Sequence, residues 1–269
     1  MLTPTASVAD NSDVQNTAQI SANIMGQDKA PEPLTNEHHA QGATPDSSKN
    51  SLEEPVPEST DKVTGEPRQE TVQDKDGNIY RTVKIGQQIW LAENLRTTRF
   101  QDGSTVNTGY IPDDDENNLA TFGRLYDWHD VADERNICPA GWRVASDQDW
   151  KSLEKAIGLS ESKVDKEGWR GANDIAITLK AEQPNTFFKR FDQSQVNKHD
   201  FSATPAGVKL GNWYLTQGMY TEFWTSSSAT KKEAYARTLA YSWWNSHKGE
   251  IRRAKLKKTY MFSVRCVKR

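Results

Sequence analysis

An α+β fold with an irregular, mainly antiparallel sheet follows from three features of this 269-residue chain. Short runs with strand periodicity, bounded by turn residues, outnumber helical runs. Only one stretch, residues 146–158, carries a strong helical period. From Phe201 onward, strands and turns alternate almost to the end.

The chain begins with an arm that cannot build a core. No Phe, Trp or Tyr occurs before Tyr80, and residues 1–70 hold twelve Asp and Glu against four Lys and Arg, a net of −8, among Ser, Thr, Pro, Asn and Gln. That composition predicts a disordered acidic tether over residues 1–71, with the folded domain spanning 72–269. Such an arm could also serve as an interaction tail or fold back on a basic surface.

The first element of the domain is a hairpin. Ile79, Val83 and Ile85 recur with period 2, Gly86-Gln87 offers a tight reversal with Gly in the first central position, and Gln88-Ile89-Trp90-Leu91 forms the return strand. Ahead of it, Asp74-x-Asp76-x-Asn78 resembles the start of a calcium loop. Its Gly comes too early and no bidentate Glu follows, so a turn is expected and no metal site. The acidic run Asp113-Asp114-Asp115-Glu116 after Pro112 reads as a solvated surface loop.

The helix comes next. Ser146 is placed as N-cap with Asp149 three positions on, and Trp150, Leu153, Ala156 and Ile157 form one stripe before Gly158 closes it. A weaker helical stretch covers residues 174–181. Beyond it lie short strands around Leu210, Trp213-Tyr214, residues 222–225, residues 235–239 and residues 261–267.

Only two cysteines are present, Cys138 and Cys266, each inside an aromatic or β-branched run. A single long-range disulfide between them is the expectation, which implies an oxidising compartment. No stretch approaches the ~20 apolar residues of a membrane span. Met1-Leu2-Thr3-Pro4 has neither a basic nor an apolar signal region, so an export signal is expected to have been trimmed, and a lipid anchor could have gone with it.

Several segments together resemble the Fibrobacter succinogenes major paralogous domain family of exported proteins from Bacteroidota and Fibrobacterota. They include Asp76-Gly77-Asn78-Ile79-Tyr80, Gln88-Ile89-Trp90-Leu91-Ala92-Glu93-Asn94-Leu95 and Phe122-Gly123-Arg124-Leu125-Tyr126-Asp127-Trp128. Further along come Cys138-Pro139-Ala140-Gly141-Trp142-Arg143-Val144, Trp169-Arg170-Gly171, Phe201-Ser202-Ala203, Pro205-Ala206-Gly207, Phe223-Trp224-Thr225-Ser226-Ser227 and Ser263-Val264-Arg265-Cys266-Val267. The resemblance spans roughly residues 74–269. It implies a C-type-lectin-like fold, related to the formylglycine-generating-enzyme branch, with one or two helices, long loops and a closing strand that pairs near the start of the domain. It brings no catalytic residues with it.

The residues themselves name no catalytic group either. His129, His199 and His247 are isolated, His38 and His39 fall in the arm, and no metal-ligand spacing occurs. Glu182-Gln183-Pro184-Asn185 and Trp244-Asn245-Ser246 resemble the calcium-and-sugar motifs of C-type lectins. Their separation is too long, and Ser246 replaces the charged ligand a hard cation requires.

Charge and aromatics gather late in the chain. Residues 230–269 carry twelve Lys and Arg against two Asp and Glu. The lectin-like resemblance implies that residues 252–258, between the Trp243-Trp244 strand and the closing strand, form a basic loop on the binding face; of Trp243 and Trp244 one ring should be exposed.

The expected function is a non-enzymatic, exported or cell-surface binding domain for a glycan or protein partner. The expected ligand-binding residues are Trp213, Trp243, Trp244, Asn245, Arg252, Arg253, Lys257 and Lys258, with no cofactor and no nucleic acid. A glycan-active enzyme, needing two converging carboxylates, and a structural subunit of a surface assembly are the alternatives.

Overall fold

The computed structural model describes residues 70–171, 174–182, 191–241, 247 and 249–269. The acidic arm, Trp243, Trp244, Asn245 and most of the proline-containing lectin-like segment lie outside these residues.

The expected hairpin is present. β1 (Thr71–Gln73) pairs with β2 (Ile79–Ile85), which turns into β3 (Gln88–Leu91). Gly86 takes φ +60 in the turn, and a Cβ there would come within 2.8 Å of the Ala156 side chain, so the reversal needs glycine twice over. The buried face of β2 differs from the expectation. Ile79 is 58% exposed, while Tyr80 is fully buried, its hydroxyl donating to Asp74 at 2.6 Å and accepting from the Arg96 amide. The sheet is covered on both sides, so a single apolar face was too simple a rule.

Asp74 organises the turn ahead of β2 by accepting from the amides of Asp76 and Asn78 and the Asn78 side chain. This is the hydrogen-bonding habit of a turn aspartate.

Closing strand β11 (Cys266–Lys268) inserts between β3 and β4 (Trp142–Val144), completing a five-stranded antiparallel sheet in the order β1-β2-β3-β11-β4. The Cys138–Cys266 disulfide clamps the first residue of β11 to the segment leading into β4, with the Cα atoms 6.0 Å apart and both residues buried.

A second antiparallel sheet has the order β5 (Gly168–Arg170), β10 (Ile251–Lys257), β9 (Glu233–Ala240) and β8 (Tyr220–Ser228). β6 (Val208–Leu210) and β7 (Trp213–Leu215) make a small separate hairpin. Residues 261–264, expected as a continuous strand, instead stitch the units together. Phe262 exchanges backbone bonds with Tyr126, Ser263 bonds with Glu222 and Trp224, and the Val264 carbonyl accepts from Leu95.

The short helices α1 (Leu119–Phe122) and α2 (Trp128–Val131) precede α3 (Asp147–Ala156), with α4 (Glu161–Val164) behind it. α3 starts at the capping box foreseen from Ser146 and Asp149, and Trp150 and Leu153 face inward. Ala156, placed in the stripe by spacing, is exposed at the last turn. The second helical stretch is a 3-10 turn, Ile175–Leu179, buried all round. With no polar face it lacks the pattern of a surface helix.

Two apolar clusters flank the sheets. One gathers Tyr80, Leu91, Phe100, Tyr126, Trp142, Trp224 and Phe262 around the disulfide. The other packs Trp90, Trp150, Phe201 and Phe223, mostly edge to face with Trp150 and Phe223 tilted, with centroids 5.3–6.1 Å apart, a spacing favourable to aromatic rings.

Candidate functional site

Residues 252–258 are not a loop. They form most of β10, an inner strand whose every residue from Ile251 to Lys257 is paired with β9. Its alternation decides what each basic side chain can do.

Arg253 points inward. It donates to both carboxylate oxygens of Asp147 at 2.8–2.9 Å, is 5% exposed, and is thereby removed from the ligand-binding set. Arg252 faces the other way, half-buried in a cross-strand row with Thr238 and Glu222. Lys257 is exposed, and Lys258 sits just past the end of the strand.

The register places Glu233 opposite Lys257, so the 229–232 loop between β8 and β9 lies against the end of β10. That loop is tightly held. The Ala229 and Thr230 amides donate to the Glu233 carbonyl, the Thr230 hydroxyl accepts from the Lys232 and Glu233 amides, and the Lys258 amide donates to Lys232. α2 closes the third side. Its amide at Trp128 donates to the Lys258 carbonyl, and the Trp128 indole N–H donates to the Thr225 carbonyl at 2.9 Å.

The result is a cleft of about 860 Å³ bordered by His129, Thr230, Lys231, Lys232, Glu233, Lys257, Lys258 and Thr259. Lys258 is only 9% exposed. Its ammonium lies 3.9 Å from the Trp128 ring centroid and donates to Ser228 at 2.8 Å, so the charge is fixed in place. Among the described residues, Lys231, Lys232, Lys257 and Lys258 make no ion pair, whereas Lys151, Lys155 and Lys255 each hold a carboxylate. Four cations without counter-charges around one concavity focus a positive potential there.

Trp213 occupies a different place. It is 55% exposed at the tip of the β6–β7 hairpin and does not border the cleft. On the opposite face of that hairpin, the Lys209 ammonium is sandwiched between the rings of Tyr110 and Tyr214, and Tyr214 donates to Asp114. The acidic run is thus partly tied down in two 3-10 turns, Pro112–Asp114 and Glu116–Asn118.

Carboxylates that could support catalysis do not converge in the lysine cleft, which holds Glu233 alone. A smaller cavity of about 280 Å³ is bordered by Glu93 and Glu182, but both oxygens of Glu93 already accept from Arg81. Among the described residues no group of three His, Cys, Asp or Glu could hold a metal ion.

Glu222 is the most perturbed carboxyl. It is fully buried, neither oxygen accepts a hydrogen bond among the described residues, and burial pushes it up to about 8 against the pull of Arg252. Because the folded value lies above the unfolded one, the folded state holds a proton that the unfolded state has released. Stability should therefore fall as pH rises from about 4 towards about 8 through this group. Glu222→Gln should flatten that part of the urea-denaturation profile. An unchanged slope between those limits would show that Glu222 is ionised in the fold.

Trp128, His129, Lys231, Lys232 and Glu233 were not among the ligand-binding residues expected from the sequence. For the β9 side the signal is strand register: once β9 is paired with β10, Lys231, Lys232 and Glu233 are brought to Lys257 and Lys258, whereas Trp128 and His129 arrive on a helix held by the Trp128–Thr225 bond.

A family model described as the Fibrobacter succinogenes major domain matches residues 83–268. No curated protein and no solved structure matches the chain.

Proposed function

The chain belongs to the Fibrobacter succinogenes major domain family, and from that premise we propose that it is a non-enzymatic binding domain of an exported or cell-surface protein, recognising an anionic glycan or protein partner in the lysine cleft. One observation carries the reading. Lys231, Lys232, Lys257 and the immobilised Lys258 converge on one concavity without a carboxylate partner among the described residues. An unpaired cluster of like charges costs stability by self-repulsion, and an anion in the cleft relieves it.

Export is supported by the buried disulfide, which persists in oxidising compartments. A C-type-lectin-like arrangement is the finer reading of the fold. It is supported by closing strand β11 lying beside the first hairpin. No helix among the described residues is long and apolar enough to cross a membrane.

The test is binding of the whole chain to dextran sulfate, polygalacturonate and polyglutamate, with neutral dextran as control, at about 0.05 M and about 0.5 M salt. At least one polyanion should bind at low salt and weaken at high salt. Lys231→Gln combined with Lys257→Gln should lower that affinity about 10- to 100-fold at low salt with little shift in the melting temperature, because both side chains are exposed. Binding that is indifferent to both the salt and the two substitutions would remove the cleft as the site.

A further inference from the structure

We infer that the ligand of the lysine cleft is an acidic saccharide, a sugar ring carrying a carboxylate or sulfate, with its anion held by the lysines and a ring hydroxyl donating to Glu233. This rests on the reading of the cleft as the binding site and goes beyond it by naming the ligand class.

Glu233 is the observation that selects the class. It is a half-buried carboxylate among four lysines, directly opposite Lys257, yet it forms no ion pair with any of them. Its one side-chain hydrogen bond among the described residues comes from the Thr230 hydroxyl, which donates to Oε2 at 3.3 Å. A ligand filling the cleft must put something against the remaining acceptor capacity. A polyanion without hydroxyl donors, such as a polyphosphate, would set only negative groups there and lose affinity. A sugar acid presents hydroxyl donors within one ring of its anion, so one rigid unit can satisfy cation and carboxylate together.

The fixed ammonium of Lys258 points the same way. It is nine-tenths buried and held between the Trp128 ring and Ser228, so little freedom is lost when an anion arrives. The hydroxyls of Thr230 and Thr259 on the border can donate or accept, which matches a ligand rich in the same groups.

Size separates a saccharide from a folded protein partner. At about 860 Å³ the cleft falls within the ~300–1,000 Å³ range of small-ligand sites. A stable protein interface takes about 800 Å² of surface from each partner and is not confined to a concavity bordered by eight residues.

The experiment is calorimetric titration of the full chain with polygalacturonate oligomers, chondroitin sulfate oligomers and polyglutamate of matched charge, on the wild type and on Glu233→Ala and Glu233→Gln. Either or both saccharides should bind at least about tenfold more tightly than polyglutamate, and which of them does so separates carboxylate from sulfate recognition. The sign of the Glu233 effect is decisive. Glu233→Ala should weaken the saccharide about tenfold while leaving polyglutamate unchanged or tighter, and Glu233→Gln, which keeps an acceptor oxygen, should retain saccharide binding.

Tighter binding of every polyanion to Glu233→Ala would mean that the carboxylate only repels, which overturns the saccharide assignment and leaves the anion site standing. Polyglutamate binding as tight as the saccharides would do the same. If none of the three probes binds, the lysine cleft itself fails as a site. Melting curves of both variants guard against a misfolded loop, and Glu233→Gln supplies the answer if Glu233→Ala unfolds.

Discussion

Reduction of the Cys138–Cys266 disulfide should lower the midpoint of thermal unfolding by about 10–15 °C, on the order of 4–5 kcal/mol at about 2–4 °C per kcal/mol for a domain of this size. The bridge spans 128 residues, and closing so long a loop removes much of the freedom of the unfolded chain. It also ties the first residue of β11, an inner strand of the five-stranded sheet, to the segment entering β4, where both sulfurs are buried in the main apolar cluster. Native packing is therefore expected to persist after reduction, with the loss appearing as a lower midpoint and an unchanged folded spectrum. Calorimetry with and without reductant checks this. If thiol labelling of the unfolded, unreduced protein finds both Cys138 and Cys266 reactive, the bridge does not form in solution, and the inference of an oxidising compartment falls with it.

What was legible in the sequence is what rests on local chemistry. The turn at Gly86-Gln87, the capping box of Ser146 and Asp149, and the pairing of the only two cysteines each depend on a few neighbouring residues or on elimination. Residues 252–258 show why other parts were not. Their place in lectin-like folds implied a loop, yet Ala254 and Leu256 alternate with exposed Lys255 and Lys257, the period of a half-buried strand. The resemblance outweighed the local period in that reading.

Arg253 was misjudged for a related reason. Its partner Asp147 lies 106 residues away, and no local pattern announces a buried ion pair. The cleft was half visible: Lys257 and Lys258 stood out by charge, while Lys231, Lys232 and Glu233 reach them only through the β9–β10 register. Trp128 reaches them only through a bond to Thr225, 97 residues away.

The same buried network sets the other large effect. Glu154→Ala should destabilise the protein by about 3–5 kcal/mol, because it leaves the Arg170 guanidinium buried without its counter-charge and strips Arg237 of one of its two carboxylate partners. Glu154 is fully buried on the inward side of α3, accepts a bidentate pair of bonds from Arg170 at 2.9 Å, and accepts a third from Arg237 Nε at 2.5 Å. Asp147, two turns earlier on the helix, takes Arg237 Nη1 and the Nε and Nη2 donors of Arg253. One helix thus neutralises arginines from three strands, β5, β9 and β10, and locks α3 onto the second sheet.

Acid should act on the same network. Burial alone would raise the Asp147 carboxyl, but bonds from Arg253 and the charge of Arg237 outweigh it and hold it well below the usual carboxylate range. A depressed folded value means that this stability is fully present at neutral pH. It is lost only as pH falls below the ordinary carboxylate value towards the lowered one. Replacing Glu154, Arg170 and Arg237 together by apolar residues of similar size should recover most of the loss, since the cost of the single variant is an uncompensated charge and not a missing attraction. Urea denaturation of the single and triple variants decides the matter. A loss below about 1 kcal/mol for Glu154→Ala, the scale of an exposed ion pair, would show that water reaches the network and that α3 is not locked through it.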